Sequence, residues 1–261
     1  MDIGTGLALF GSAKLIEKLL GPTADYIGEG IKSLAKKRTN NLKNIFSIAV
    51  NKLGNKIETQ GAVPPKVLKG ILDEGSFCDD FLSAEYFGGV LASSRSGVSR
   101  DDRGAALIAL ISRLSTYQIR THYIFYHIVK KLFDGSGINI GITEGRNKME
   151  TYVPLSVYKT AMEFDKKENI GVLMTHIMVG LAKECLIGEY FSMGPKEDIE
   201  KRFNKATESG LIFQPSSLGT ELFLWAYGKS DFLIQDFLEP VNQFEIDAKI
   251  NIPLGYKKTK E

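Results

Sequence analysis

Apolar residues recur at intervals of three and four along the first half of the chain, and this spacing predicts helices. Residues 12–58 read as helix with a break near Gly21-Pro22. Within it Leu34, Leu42, Ile45, Phe46, Ile48, Ala49, Leu53 and Ile57 form one apolar side. Pro64-Pro65 end that stretch, and Val67, Leu68, Ile71 and Leu72 give the next helix a single apolar face. Ser76 followed by Asp79 has capping-box spacing and predicts a helix opening at about residue 77. In it Phe81, Leu82, Ala84, Tyr86, Phe87, Val90 and Leu91 cover most of the circumference, the pattern of a buried helix. Gly88-Gly89 in its middle costs about 1 kcal/mol of helix propensity per glycine, which a close backbone crossing would explain.

Ser99 and Asp102 repeat the capping-box spacing and predict one long helix over 101–133. After Gly135 the period shortens. Ile138, Ile140 and Ile142 alternate with polar or small residues, and a return strand to about Val153 would complete a hairpin. Helices are expected at 155–165, 170–187 and 195–209, the last opening on Pro195. Leu211, Ile212 and Phe213 read as a short strand, followed by a helix on LGTELFLWAYG. Phe244, Ile246, Ala248, Ile250 and Ile252 alternate with polar residues as a further strand, and the tail GYKKTKE reads as loose. The fold expected is mostly α with a smaller α+β part. An N-terminal helical bundle (1–134) precedes a winged-helix-like half (135–261) with a small antiparallel sheet.

Composition narrows the class without naming a reaction. The chain has 261 residues, 43% of them hydrophobic and 25% charged, with a formal charge of +2, which is ordinary globular composition. Its two cysteines, Cys78 and Cys185, are too few for a disulfide framework and are read as small core residues. The N-terminus lacks the basic region of a secretory signal, and no apolar run is long enough to span a membrane. The expected location is the cytoplasm, with the inner face of the membrane as a second possibility through an N-terminal amphipathic helix.

Charge is uneven along the chain. The span 30–57 carries seven bases and no acid, and Lys32, Lys36, Lys37, Arg38 and Lys43 form a candidate interaction surface. Residues 73–85 are acidic, whereas 103–133 carries bases and no acid. Glu85, set among apolar residues, therefore needs a cation, and Arg113 is the expected partner in a buried ion pair. There is no Walker loop, no GxSxG elbow and no HExxH. His122 and His127 are five apart on one helix, which is not metal-pair spacing, and these two and His176 are read as core-edge or surface groups. No catalytic, cofactor-binding or metal-binding residue is assigned, and a non-enzymatic protein is expected.

Residues 170–228 follow the order helix, helix, short strand, turn, helix, the layout of a winged-helix-like module. A DNA reader would use 195–209, but there Lys196, Lys201, Arg202 and Lys205 are offset by Glu197, Asp198, Glu200 and Glu208. Protein–protein contact is the preferred use, with nucleic acid ranked below it.

The order of a basic helix, PPKVLKGILDEGS, an acidic helix start, FGGVLAS and a long helix resembles the bacterial abortive infection alpha (Abi-alpha) proteins, a family catalogued by an uncharacterised domain. Phe87-Gly88-Gly89-Val90-Leu91-Ala92 stands where that family has a tryptophan-alanine-x-leucine-leucine-alanine motif, and the likeness covers about residues 20–230. The shared motifs are packing motifs and bring no catalytic residues across. The resemblance implies prokaryotic antiphage defence by abortive infection, through binding of a phage or host protein, with homo-oligomerisation possible. A membrane-surface effector and a nucleic-acid-binding regulator are the alternatives.

Overall fold

The structure, a computed structural model, describes residues 18, 36–78, 80–98, 100–240, 244 and 250–260. Those residues are mostly helical, with one small four-stranded antiparallel sheet. They form two compact units. One holds the described residues up to Arg113 together with Leu224–Asp231, and the other holds Leu114–Phe223 and the described residues from Phe232 onward. The division thus falls earlier than the expected boundary after residue 134, because the predicted helix over 101–133 is two helices. These are α4 (Arg103–Arg113) and α5 (Thr116–Phe133), in the numbering that starts with α1 below. Ser115 caps α5: its hydroxyl accepts from the Gln118 amide (3.3 Å), and the Gln118 side chain accepts from the Ser115 amide (2.8 Å).

The first unit contains α1 (Lys36–Leu53), α2 (Pro65–Asp73), α3 (Phe81–Ser93) and α4. The apolar side of α1, including Leu42, Ile45, Phe46 and Ala49, is fully buried, and α1 packs along α3. In α3 every residue from Leu82 to Ser93 is buried, as its all-round apolar pattern predicts. The glycine pair is where neighbours come closest. A Cβ on Gly88 would lie 2.5 Å from Ile48 Cγ2, and one on Gly89 would lie 1.9 Å from the Ala226 carbonyl oxygen, so the expected backbone crossing is present. The start of α3 differs from expectation. Ser76 lies in a short 3₁₀ turn and donates to the Asp73 carbonyl, while Asp80 is the cap and accepts from the Ser83 amide and hydroxyl, both at 2.8 Å. Ser99 lies outside the described residues.

The second unit is built on α5, with α6 (Thr143–Lys148), β1 (Thr151–Pro154), α7 (Leu155–Met162), α8 (Ile170–Lys183), β2 (Ser192–Gly194), α9 (Lys196–Glu200), β3 (Gly210–Phe213), α10 (Ser217–Ala226) and β4 (Lys257–Lys258). The last residues of α10, from Leu224, belong to the first unit. The strand order is β2-β3-β1-β4, with Thr151 opposite Phe213 and Pro154 opposite Gly210. Phe213 stacks on Phe125 of α5, ring centroids 3.8 Å apart, which joins sheet to helix in the core.

Several sequence expectations change in this unit and at the cysteines. The hairpin strand at 138–142 is absent: the Asn139 side chain accepts from the Gly141 amide (2.8 Å), and Arg146 reaches back to the Ile140 and Gly141 carbonyls, winding the segment into α6. The helix over 195–209 is only α9, and Ile199 within it joins Phe203 and Ala206 beyond it in packing on Tyr152 and Ile212. That shortens the element a winged-helix reading would place on DNA. The tail is not loose, since Lys257 and Lys258 pair with β1 and Thr259 donates to Glu150 at 2.7 Å. Burial works to raise the Glu150 carboxyl, but hydrogen bonds from Arg202 and Thr259 outweigh it and hold it below its usual value. Of the strand expected over 244–252, residues 245–249 lie outside the described residues, and 250–252 are not in a strand. Cys185 is exposed with φ 57°, and Cys78 is half-buried, so neither is the enclosed core residue expected.

Candidate functional site

Of the five residues expected to form an interaction surface, only Arg38 and Lys43 have described side chains. Lys32 is not described, and Lys36 and Lys37 lie in the first turn of α1, their side chains outside the described set. Arg38 is half-buried with its guanidinium 3.6 Å from the centre of the Phe77 ring, and Lys43 is half-buried. Further along the same basic run, Lys56 pairs with Asp231, and Lys52 turns inward.

Lys52 is the partner of Glu85. Its ammonium lies 2.8 Å from the carboxylate, with the two side chains 12% and 8% exposed. The expected Glu85–Arg113 pair is therefore incorrect. Glu85 points from α3 to α1, whereas Arg113 is exposed at the end of α4 and donates to its own helix at the Ala109 carbonyl. The pair satisfies the buried acid of α3.

On α5 the histidines and tyrosines separate into an inner and an outer set. His122 is fully buried, with Nε2 3.0 Å from the Gly219 carbonyl oxygen. Burial pushes its pKa down to about 3, against the opposing pull of that carbonyl. Tyr126 donates to the Leu186 carbonyl and accepts from the Ser216 amide, and burial pushes it up to about 12. Both fasten α5 to the start of α10. His176 is exposed on α8 and lies 3.0 Å from the Ser115 hydroxyl.

The outer set faces a cavity of about 370 Å³. From α5 come Tyr123, His127, Ile128, Lys130 and Lys131, with Asp134 just beyond it, and the facing wall is Phe244, Ile250, Ile252 and Tyr256. Tyr123, His127, Lys130 or Lys131, and Asp134 stand on one stripe of the helix because their spacing is four, three or four, and then three or four residues. The His127 ring lies 4.2 Å from Tyr123 and meets Phe223 edge-on at 5.3 Å. Burial lowers His127 to about 4, so it is neutral at pH 7. Lys130 donates to Asp134 (2.7 Å) and to the Glu239 carbonyl (2.8 Å), and its ammonium lies 5.8 Å from the Phe244 ring centre. Lys131 is exposed at the rim, and among the described residues no acid pairs with it. Lys258 lies over the Phe133 ring at 4.7 Å.

The cavity size falls in the lower part of the range for small-molecule sites. Sequence reading passed over it because its two walls are far apart along the chain. The local signal was a Tyr-His-Lys-Asp stripe on the polar side of a helix, which resembles any solvated face.

The basic residues around α9 are occupied: Lys196 pairs with Glu200, Lys201 with Asp198, and Arg202 with Glu150. Among the described residues no group of three or more His, Cys, Asp or Glu side chains is placed to hold a metal ion, and no helix is long and apolar enough to cross a membrane. No protein-family model, curated protein or solved structure matches the chain.

Proposed function

We propose that this chain is a non-enzymatic binding protein that recognises a phage or host component through the α5 cavity, in antiphage defence of the abortive-infection type. The observation that carries the binding role is the cavity itself. It is a recess of mixed polar and apolar lining with a neutral imidazole inside and two ammonium groups at its edge, while Glu85 and Glu150 are committed to pairs within the fold. The resemblance of residues 64–94 to the Abi-alpha proteins supplies the setting. The two alternatives have less behind them. The apolar side of α1 is occupied by α3, which opposes its use as a membrane-surface helix, and the bases of α9 are neutralised by neighbouring acids, which opposes phosphate binding.

The test is expression of the intact chain in a bacterial host challenged with a panel of phages, beside an Ile252→Trp variant that fills the half-buried cavity wall. Protection by the wild-type chain and its loss in the variant, at an unchanged melting temperature, is the expected result. Absence of protection across the panel would remove the defence setting. Equal protection by both chains would remove the cavity from the function.

A further inference from the structure

We propose that the α5 cavity takes a small molecule carrying an acidic group on an apolar ring. This deepens the reading of the chain as a binding protein and rests on it. The walls supply flat and branched apolar surface from Tyr123, Ile128, Phe244 and Ile252, which favours a ring over a flexible polar chain. Among the described lining residues the ionised groups are Lys130 and Lys131, each positive, and Asp134, negative, a net charge of +1. His127 adds no charge at neutral pH.

The lysines differ in what they have left to offer. Lys130 already donates to Asp134 and to the Glu239 carbonyl, which fixes its ammonium beside the recess. That contact also occupies the lining acid, so Asp134 does not hold a cationic ligand. Lys131, one residue further around the helix, has no acid among the described residues. A ring seated against Tyr123 and Phe244 would place an acidic substituent toward this ammonium, where partial exclusion of water strengthens the charge-assisted contact. A cationic ligand would meet net repulsion, and an uncharged one would leave Lys131 unused.

The experiment is isothermal titration of the intact chain with 8-anilinonaphthalene-1-sulfonate and with its uncharged counterpart N-phenyl-1-naphthylamine. The sulfonate should bind at one site and more tightly than the amine. Lys131→Glu changes the lining sum from +1 to −1 and should weaken the sulfonate by about tenfold or more while leaving the amine unchanged. Lys183→Glu, the same reversal at the exposed end of α8 and away from the cavity, should affect neither. If both probes bind alike and Lys131→Glu changes neither, the anionic class is wrong and the cavity still binds. If neither probe binds, the cavity reading fails along with the ligand class.

Discussion

Helices α3 and α5 both run through the interior of their own unit, yet they treat polar residues in opposite ways. The one charged side chain of α3, Glu85, is matched inside the unit by Lys52, and every residue of that helix after Phe81 is buried. Helix α5 is enclosed along the side that carries His122, Phe125 and Tyr126, but its last turns turn His127, Lys130 and Lys131 toward a cavity. A helix can therefore be the most conspicuous stretch of a sequence and have only a packing role. The less conspicuous helix, whose polar stripe looks like an ordinary wet face, has side chains left for a ligand.

The largest expected effect separates the charges of the two helices. Glu85→Ala leaves the buried Lys52 ammonium without its acid and should cost about 3–5 kcal/mol in urea denaturation. Lys131→Ala should stay within about 0.5 kcal/mol. Similar costs for both would erase the distinction drawn above. A second measurement uses pH, because His122 and His127 lie on α5 and no histidine lies on α3. His122 and His127 fall from an ordinary 6.5 to about 3 and about 4 in the folded chain. The unfolded chain then binds more protons than the folded one below pH 6.5. The stability these groups contribute is complete above that pH and declines as pH falls toward 4, by about 1.4 kcal/mol per pH unit for each histidine. His122→Gln should roughly halve their part of the slope, and a stability flat between pH 7 and 5 would refute the burial of both rings. The smallest effect tests the break that makes α5 a separate helix. Ser115→Ala should cost about 1 kcal/mol by removing one half of the capping box, whereas no change would mean that the cap does not define this helix start.

Much of α3 was legible in the sequence because its information is local. The run from Phe81 to Leu91 is apolar on all sides, and a glycine pair within such a run has few explanations other than close approach. The partner of Glu85 was not legible. A carboxylate among apolar residues announces that it needs a cation, but it does not say which helix supplies it, and Lys52 looked like one base in a solvated run. The split between α4 and α5 was visible in principle as Ser115 three residues before Gln118, but the apolar spacing continues across it and masks the cap. Alternation at 138–142 misled for another reason. Side chains such as Asn139 and Arg146 can satisfy backbone groups that a strand would otherwise pair, and periodicity does not register that competition. The cavity was the least legible feature, because neither wall identifies the other before the chain has folded.

The pairing of Lys257 and Lys258 with Tyr152 and Thr151 has a kinetic consequence. It closes one of the widest loops in the second unit for only two residue pairs, so the entropy lost on closure is large beside the immediate gain. Pairs such as β2 with β3, nearer in sequence, have the advantage in forming first, and the segment that bears Ile250, Ile252 and Tyr256 docks afterwards. Contact order thus favours late completion of the recess. A nascent or half-refolded chain would already have α5 and its lysines but no opposite wall, and competence to bind would be acquired with the last step of assembly.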